Sequence, residues 1–445
     1  MHLRIFLLTI CISNLALGAP LPEGSPAPVV LSISDAIKKG LEYSPDVKKA
    51  EGSLREASGN LDKARGALFP TINAVGSAIN QQTSSTAKTA SITTTTSSYV
   101  GDTYSAGLTL SQPLYAGGAI TAGLSLFKTN EDIARQALFI AKQTLLNSLL
   151  TAYYALVQAE MTLEAAQANR DILKSYVEIT THYARIGRSR KMDELQAQAN
   201  YSLSLITVEQ NQNTLNAAQA NVNRYLGEPK STIVKSNYRV TISPIGNLTA
   251  QEALEAAVKA NPTILTDKMN VSNVDNSRDV DLAADMPTLY FNATGGYQSP
   301  DVPDLWQSSS QYYSAGLTLT VPIFSGLTSL SKRKIYSAQT YEQEKQLQSD
   351  KDNLRVQIEN AILSIHSTQA QLDVAVRSVK EARAALDLAN KGYREGTASS
   401  TDVITLQATR YTAEQGFITA QFAYLTALLT LRQQMGIDLE KAYAH

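Results

Sequence analysis

The sequence predicts a mainly α-helical protein with a small β part, built as a tandem repeat. Three observations predict this fold class. The two halves of the chain match each other in register, each half contains a long stretch without proline or glycine, and each half contains a strand of alternating apolar and polar residues. Very long helices combined with short amphipathic strands indicate an elongated helical protein that also carries a sheet.

The repeat keeps its register over most of the chain. The hexapeptide Ser-Ala-Gly-Leu-Thr-Leu occurs at 105–110 and again at 314–319, an offset of 209 residues. Nearer the start of each half, Ser44-Pro45 matches Asn261-Pro262 at an offset of 217 residues. The eight-residue difference falls in the Ser/Thr-rich stretch Ser84–Ser98. Because length variation is typical of loops, we expect a surface loop there.

The N-terminus has the features of a secretory signal peptide. Arg4 precedes a short apolar core, and small residues at Ala16 and Gly18 favour cleavage after Gly18. The core is too short to cross a bilayer, which argues against the alternative of a membrane anchor. Cys11, the only cysteine, lies within this core, so we expect no disulfide in the mature chain. We divide the chain into a signal peptide (1–18), an N-terminal linker (19–30), a first repeat (31–230), an inter-repeat linker (231–247), a second repeat (248–438) and a C-terminal tail (439–445).

Composition argues against several classes of function. A net charge of −1 supplies no basic stripe, so no nucleic-acid partner is expected. His182, His366 and His445 lack metal-ligand spacing, and we expect no metal and no other cofactor. The chain has no nucleophile elbow or phosphate-binding loop, so we expect no catalytic residues and no enzyme activity. After the signal no window is apolar enough for a transmembrane helix, so a membrane span would have to consist of strands.

Each half opens with signals for two short helices. Thr249 and Glu252 form a capping box, and Ser32 with Asp35 is its weaker counterpart. Pro45 and its counterpart in the second half each follow a good N-cap residue, so a second helix is predicted to begin at each proline.

Alternation predicts the strands that follow. Residues 104–110 and 313–321 alternate between apolar and small polar side chains, and less regular strands are predicted over 71–80 and 288–297. One apolar and one polar face suit a wall between lipid and water, and a half-buried strand of a soluble sheet is the alternative. Aromatic residues beside these strands suit interfacial girdles, and ordinary strand propensity explains them equally. They are Tyr99, Tyr104, Tyr115, Tyr290, Phe291, Trp306, Tyr312, Tyr313 and Phe324.

The stretches without glycine or proline predict very long helices. They cover 124–186 and 327–391, and a helix of about 65 residues is about 100 Å long. Leucine and alanine recur at heptad spacing, which predicts close packing with left-handed supercoiling. The seam of the first half comprises Leu138, Leu145, Ala152, Ala159, Ala166 and Leu173 with Lys142, Leu149, Leu156, Leu163, Arg170 and Val177. The second seam lies 209 residues later, with Lys351 at the position of Lys142.

Each long helix is predicted to end in a tight reversal. Gly187 and Gly396 suit the left-handed conformation that closes a helix. Residues 189–193 and 399–402 then supply N-cap residues for returning helices. Two antiparallel helical hairpins are therefore expected.

The number of strands argues for an assembly of several chains. Four strands are too few to close a barrel, and open sheet edges do not occur in lipid. Three chains would supply twelve strands, although closure alone does not distinguish three chains from another number.

Three motifs, in this order and spacing, resemble the TolC-like outer-membrane factor family. They are Gln112-Pro-Leu-Tyr-Ala-Gly-Gly118, Val321-Pro-Ile-Phe-Ser-Gly326 and Tyr393-x-x-Gly396-x-x-x-x-x-Asp402-Val403. The resemblance covers essentially the whole mature chain. It implies a homotrimer in the lipid of the Gram-negative outer membrane, with a twelve-stranded transmembrane β-barrel and a periplasmic α-barrel of long antiparallel coiled-coil helices.

The resemblance also implies a role and partners. The role is that of the channel of a tripartite efflux or type I secretion system, docked to a periplasmic adaptor (membrane fusion) protein with an inner-membrane pump behind it. The exported substrate, whether drugs, metal ions or proteins, is not indicated by the sequence.

Candidate pore and docking residues follow from the same resemblance. Asp402 matches an acidic ring that narrows the closed channel in the family, and Thr405 stands one helical turn later, where a second acidic residue is usual. Asp193 matches a residue that helps to latch the tip, and is a third candidate for the constriction. A favourable charge at a helix N-terminus is the alternative interpretation of Asp402. The candidates for adaptor docking at the tip are Gly187, Arg188, Arg190, Gly396 and Ala398. The two arginines are also candidate partners of Asp193. Ala398 stands where the family often has a basic residue.

A secreted coiled-coil fibre is the main competing class, and an enzyme is the third. A fibre explains the long helices but not the repeated alternating strands between them. Detergent dependence separates the two, because a fibre should stay soluble without detergent.

Overall fold

Two long helical hairpins and a four-stranded sheet account for most of the structure. The computed structural model describes residues 29–89, 92–230, 232–238 and 248–443. The first half contains β1 (Val29–Leu31), α1 (Ile33–Tyr43), α2 (Pro45–Gly66), β2 (Thr71–Thr89), β3 (Ile92–Ala116), α3 (Ala119–Arg185) and α4 (Lys191–Leu226). The second half contains β4 (Val234–Ser236), α5 (Ala250–Ala260), α6 (Pro262–Leu282), β5 (Thr288–Ser299), β6 (Gln311–Thr320), α7 (Thr328–Glu395), α8 (Ser400–Gln434) and α9 (Leu439–Ala442). The expected signal peptide (1–18) and His445 lie outside the described residues.

The predicted fold class, mainly α with a small β part, is confirmed. Helices α3 and α7 have 67 and 68 residues, so each is about 100 Å long. Along α3 the heptad seam is buried, with Leu149 and Leu156 alternating with Ala152 and Ala159. Lys142, which interrupts the seam, is half-buried. The corresponding buried residues of α7 are Leu354, Ile358, Ala361, Ile365 and Leu372.

Among the described residues, no helix combines the length and the apolar character needed to cross a membrane.

The short helices begin where the capping residues predict. The side chain of Asn261 accepts a hydrogen bond from the backbone N–H of Thr263 at 2.9 Å, so α6 begins at Pro262. The reciprocal capping box of Thr249 and Glu252 starts α5. These bonds satisfy N–H groups that the first turn of a helix leaves without partners.

The four long strands form one antiparallel sheet in the order β2-β3-β5-β6. The expected surface loop at Ser84–Ser98 was wrong, because β2 and β3 pair as far as Thr89 and Ile92. The run is rich in threonine, a β-branched residue that favours extended backbone, and the two strands satisfy each other's N–H and C=O groups. The extra residues of the first half therefore lengthen a hairpin.

Segments expected to be linkers and a tail contain regular structure. β1 pairs with β4 in parallel, and the Tyr153 hydroxyl donates a hydrogen bond to the carbonyl oxygen of Leu31 at 2.8 Å. In the tail, the backbone N–H of Leu439 donates to the Gln143 side chain at 3.0 Å, and Leu439 is fully buried. These contacts attach both segments to α3.

The helices form a layer whose order determines how the tips meet. α3 packs against α4 within its own hairpin and against α8 of the other hairpin, and α8 packs against α7. α6 lies against both α3 and α7. The contact between α3 and α8 brings the two hairpin tips together.

Candidate functional site

Both hairpins reverse at the glycines that the sequence indicates. Gly187 has φ of 73° and Gly396 has φ of 84°, in the left-handed region that favours glycine. The N–H of Arg188 donates to the carbonyl oxygen of Tyr183 at 2.8 Å, and the N–H of Thr397 donates to that of Gly392, also at 2.8 Å. These bonds satisfy carbonyl groups at the helix ends.

Asp193 stabilises the first tip. Its carboxylate accepts hydrogen bonds from the backbone N–H of Arg190 at 3.1 Å and from the Ser189 hydroxyl at 3.2 Å. The guanidinium of Arg190 forms an ion pair with it at 3.2 Å. Burial raises the pKa of Asp193, but the hydrogen bonds and charge of Arg190 outweigh this effect, so its pKa lies below the usual value.

The structure separates the two arginines that were candidate partners of Asp193. Arg190 pairs with it, whereas the guanidinium of Arg188 lies 4.9 Å from the centre of the Tyr183 ring. The N-cap of α4 is Arg190 and not Ser189. Ser189 instead donates its hydroxyl hydrogen to the Asp193 carboxylate.

Asp402 forms a capping box at the second tip. Its carboxylate accepts hydrogen bonds from the backbone N–H and the hydroxyl of Ser399, at 2.8 and 2.7 Å. The Asp402 N–H donates to the Ser399 hydroxyl oxygen at 3.1 Å. Hydrogen bonds from the side chain and then the backbone of Ser399 hold the pKa of Asp402 below its usual value. The capping role is therefore observed, and the pore role stays a prediction.

The departures from the family pattern lie close to Asp402. Thr405 is exposed one turn further along α8. Ala398 is half-buried, and its N–H donates to the carbonyl oxygen of Gly392 at 3.1 Å. Thr405 is one of the small residues lining an open groove between α7 and α8, together with Ala408, Thr409, Thr412, Ala413 and Gly416. This side of α8 therefore offers hydroxyl and methyl groups and has Asp402 at one end.

A buried polar contact between the hairpins was missed by sequence reasoning. The Tyr176 hydroxyl on α3 donates to the Ser400 hydroxyl oxygen on α8 at 2.8 Å. One heptad away on both helices, the Gln407 amide donates to the Asn169 side-chain oxygen at 2.6 Å. Burial raises the pKa of Tyr176, so this hydroxyl keeps its proton at neutral pH. The sequence feature that could have predicted this contact is the spacing of its polar residues, which are one heptad apart on each helix.

Tyrosine rings extend this contact to the end of α7. The ring centres of Tyr176 and Tyr393 are 5.7 Å apart, and those of Tyr393 and Tyr183 are 5.8 Å apart. With Arg188 over Tyr183, the cluster joins the ends of both long helices. We call Tyr176, Tyr183, Tyr393, Arg188 and Ser400 the tip cluster.

Comparison with known sequences identifies the family. The model of the family described as "Outer membrane efflux protein" matches residues 36–228 and 253–437. The chain belongs to the outer membrane efflux protein family. The resemblance recognised from its motifs is confirmed, and with it the expected location in the Gram-negative outer membrane. The proteins of this family are outer-membrane channels, not enzymes.

Three relatives are similar to this chain in sequence. Protein CyaE of Bordetella pertussis is 27% identical over 220 residues, which is 49% of this chain and 46% of CyaE. Alkaline protease secretion protein AprF of Pseudomonas aeruginosa is 22% identical over 77% of this chain and 73% of its own length. Outer membrane protein TolC of Vibrio cholerae is 22% identical over 75% of this chain and 77% of its own length. This chain thus aligns with only about half of CyaE.

Solved structures agree with the fold. The outer membrane protein VceC of Vibrio cholerae has a TM-score of 0.72 and 17% identity over 91% of this chain and 96% of VceC. The CmeC outer membrane channel of Campylobacter jejuni has a TM-score of 0.74 and 17% identity over 96% of this chain and 93% of CmeC.

Proposed function

We propose that three copies of this chain form a channel across the outer membrane that serves a tripartite efflux or type I secretion system. Substrates would enter from a periplasmic adaptor and an inner-membrane pump and leave outside the cell. The family description names efflux, and the name of AprF specifies protease secretion. The observation that carries the proposal is a four-stranded sheet with two open edges beside two helical hairpins.

The sheet suits lipid on one face and water on the other. We call the side bearing Leu108, Tyr313, Leu317 and Leu319 the apolar face. Tyr313 is 92% exposed there, and Leu108, Leu317 and Leu319 are 59%, 65% and 65% exposed. Large apolar side chains left exposed together indicate contact with lipid or with another chain.

The opposite side, which we call the polar face, carries hydrogen-bonded side chains. The Ser77 and Ser105 hydroxyls lie 2.7 Å apart, and the Ser111 hydroxyl donates to Asn292 at 2.9 Å. Ser105, Gly107, Thr109 and Ser111 succeed one another on this face of β3 because side chains alternate along a strand. A water-filled bore would hydrate such a surface.

Open strand edges supply the argument for a closed assembly. Within the described part of one chain, β2 and β6 each pair on one side only. An unpaired edge in lipid leaves N–H and C=O groups without partners, so each edge requires a strand from another copy. Three copies give twelve strands, which lies within the range of strand numbers of bacterial outer-membrane barrels.

The helical layer has open sides as well. α4 packs mainly against α3, and α7 packs mainly against α8, so α4 and α7 lie at the two sides of the layer. Leu203 and Ile206 on α4 are exposed, as are Val356 and Leu363 on α7. We infer that α4 of one copy covers α7 of the next and closes an α-helical conduit.

The tips would then form the periplasmic entrance. Three Asp402 carboxylates would make an acidic ring there, with Thr405 and Asp193 as further candidates for the constriction. The residues around the two reversals would face the adaptor, and the candidates are Gly187, Arg188, Arg190, Gly396 and Ala398.

Planar-bilayer recording tests the channel directly. Purified protein reconstituted from detergent should give discrete conductance steps of uniform size. Chain denatured by heat before reconstitution is the matched control and should give none. A folded preparation of the expected helical content that never conducts would contradict the proposed function.

A further inference from the structure

One tyrosine of the polar face lies across two neighbouring strands. Tyr312 on β6 pairs with Gly296 on β5, and Gly296 pairs with Gly107 on β3. Directly paired residues of antiparallel strands point to the same side of a sheet, so these three residues form one row. The Tyr312 side chain has two glycines beside it in that row.

The glycines are required by how closely the strands and the ring approach. A Cβ atom added to Gly107 would lie 3.2 Å from the Tyr312 hydroxyl oxygen and 2.7 Å from the carbonyl oxygen of Gly295. One added to Gly296 would clash with the backbone of Ala106 and lie 2.6 Å from the Cα atom of Gly107. The two residues without side chains thus leave a slot, and the hydroxyl of Tyr312 reaches across it as far as β3.

The exposure of the ring fits this position. Tyr312 is half-buried, whereas Tyr313, the next residue on the apolar face, is 92% exposed. A ring with one side against the strands retains its other side for whatever fills the bore. The ring also lies along the strands, whereas a tyrosine side chain pointing away from the sheet would project into the bore.

We propose that Tyr312 lines the bore of the β-section and presents an aromatic face to molecules passing through it, with cationic and aromatic groups as its preferred contacts. This inference rests on the proposed function, since it assumes that the polar face encloses the bore. A tyrosine ring attracts cations through its negative face. Three copies would place three such rings at one level near the outer end.

Cysteine accessibility tests the orientation. Cys11, the only cysteine of the sequence, lies in the expected signal peptide, so Tyr312→Cys and Tyr313→Cys can be compared in an otherwise unchanged mature chain. A charged, water-soluble methanethiosulfonate added from the outer side reaches the barrel without crossing the tips. We expect it to lower the conductance of the Tyr312→Cys trimer and to leave that of the Tyr313→Cys trimer unchanged. The opposite result would overturn the assignment.

Brief current blocks by benzyltrimethylammonium test the aromatic face. We expect Tyr312→Leu to shorten the mean block about two- to fivefold, as loss of an exposed cation–π contact implies. Tyr312→Phe keeps the ring and should behave as wild type, which also shows that the sheet tolerates substitution at this position. Tyr313→Leu is the matched control and should have no effect.

The outcomes separate the two proposals. Equal block times in wild type, Tyr312→Phe and Tyr312→Leu trimers would overturn the role of the ring while leaving the channel intact. Folded wild-type trimers that do not conduct at all would instead contradict the proposed function.

Discussion

The hydroxyl of Tyr176 donates a hydrogen bond to the hydroxyl of Ser400, which lies 224 residues later in the chain. The bond is buried and joins α3 of the first hairpin to α8 of the second. Because the tip cluster is the place where both hairpins end, this bond restrains their relative position at the proposed entrance.

Removing that hydroxyl should loosen the entrance. Tyr176→Phe keeps the ring contacts and loses a hydrogen bond worth roughly 1 kcal/mol. We expect single-channel conductance in planar bilayers to rise while the trimer persists. Tyr153→Phe is the control, since its hydroxyl bonds to Leu31 far from the tips and its loss should not change conductance. Equal conductance in wild type and Tyr176→Phe would show that the contact serves stability alone.

The proposed Asp402 ring can be tested by charge removal. Asp402→Asn keeps the size and some capping ability while removing one charge from each copy. We expect weaker cation selectivity and weaker block by trivalent cations, because a confined acidic ring attracts cations. Thr405→Asp should strengthen the block by adding a second ring one turn away.

A control at a related helix cap separates capping from pore effects. The Ser32 hydroxyl donates to Asp35 at 2.6 Å in a cap of similar design. Asp35→Asn should therefore leave selectivity unchanged. If Asp402→Asn also leaves it unchanged in an intact trimer, Asp402 is only a helix-start charge.

Local and long-range features differ in how far the sequence predicts them. The sequence predicts the cap of Ser399 and Asp402 because the two residues are three positions apart. It predicts the helix end at Gly187 because a backbone with positive φ favours glycine. The Tyr176–Ser400 bond depends on which helices become neighbours, so neither residue stands out by itself. The strands at Ser84–Ser98 were missed because the difference in length between the two halves suggested a loop, whereas the extra residues continue the backbone pairing of β2 and β3.

A pair of carboxylates between α6 and α7 predicts a pH dependence. Burial, followed by the nearby Asp350 carboxylate, raises the pKa of Asp267 to about 6. Between about pH 4 and 6, Asp267 is therefore protonated in the native state but ionised in the unfolded chain. Protonated Asp267 contributes to the free energy of unfolding at low pH, and this contribution is lost as the pH rises through the pKa of Asp267 in the folded state.

Replacing Asp267 should remove this effect. We expect Asp267→Asn to raise the melting temperature at pH 8 by roughly 1–3 °C, with the difference from wild type disappearing near pH 4. Circular dichroism in detergent measures both. Asp275→Asn on the same helix loses an ion pair with Arg278 and should not stabilise the protein at pH 8. A difference that is the same at both pH values would exclude titration as the cause.

The strand connections should lie outside the cell. The β2–β3 hairpin and the Ser299–Gln311 segment both join strands at the end of the sheet away from the long helices. An epitope inserted near Thr94 should be labelled on intact cells, whereas one inserted near Arg188 should need permeabilisation. The reverse pattern would invert the proposed orientation.

The mass of the detergent-solubilised particle tests the trimer most directly. In the proposed assembly, neighbouring copies pair with the edges of β2 and β6 and cover the outer sides of α4 and α7. Light scattering with the detergent contribution subtracted should give one species of three times the mature chain mass. A monodisperse, folded monomer would contradict the account.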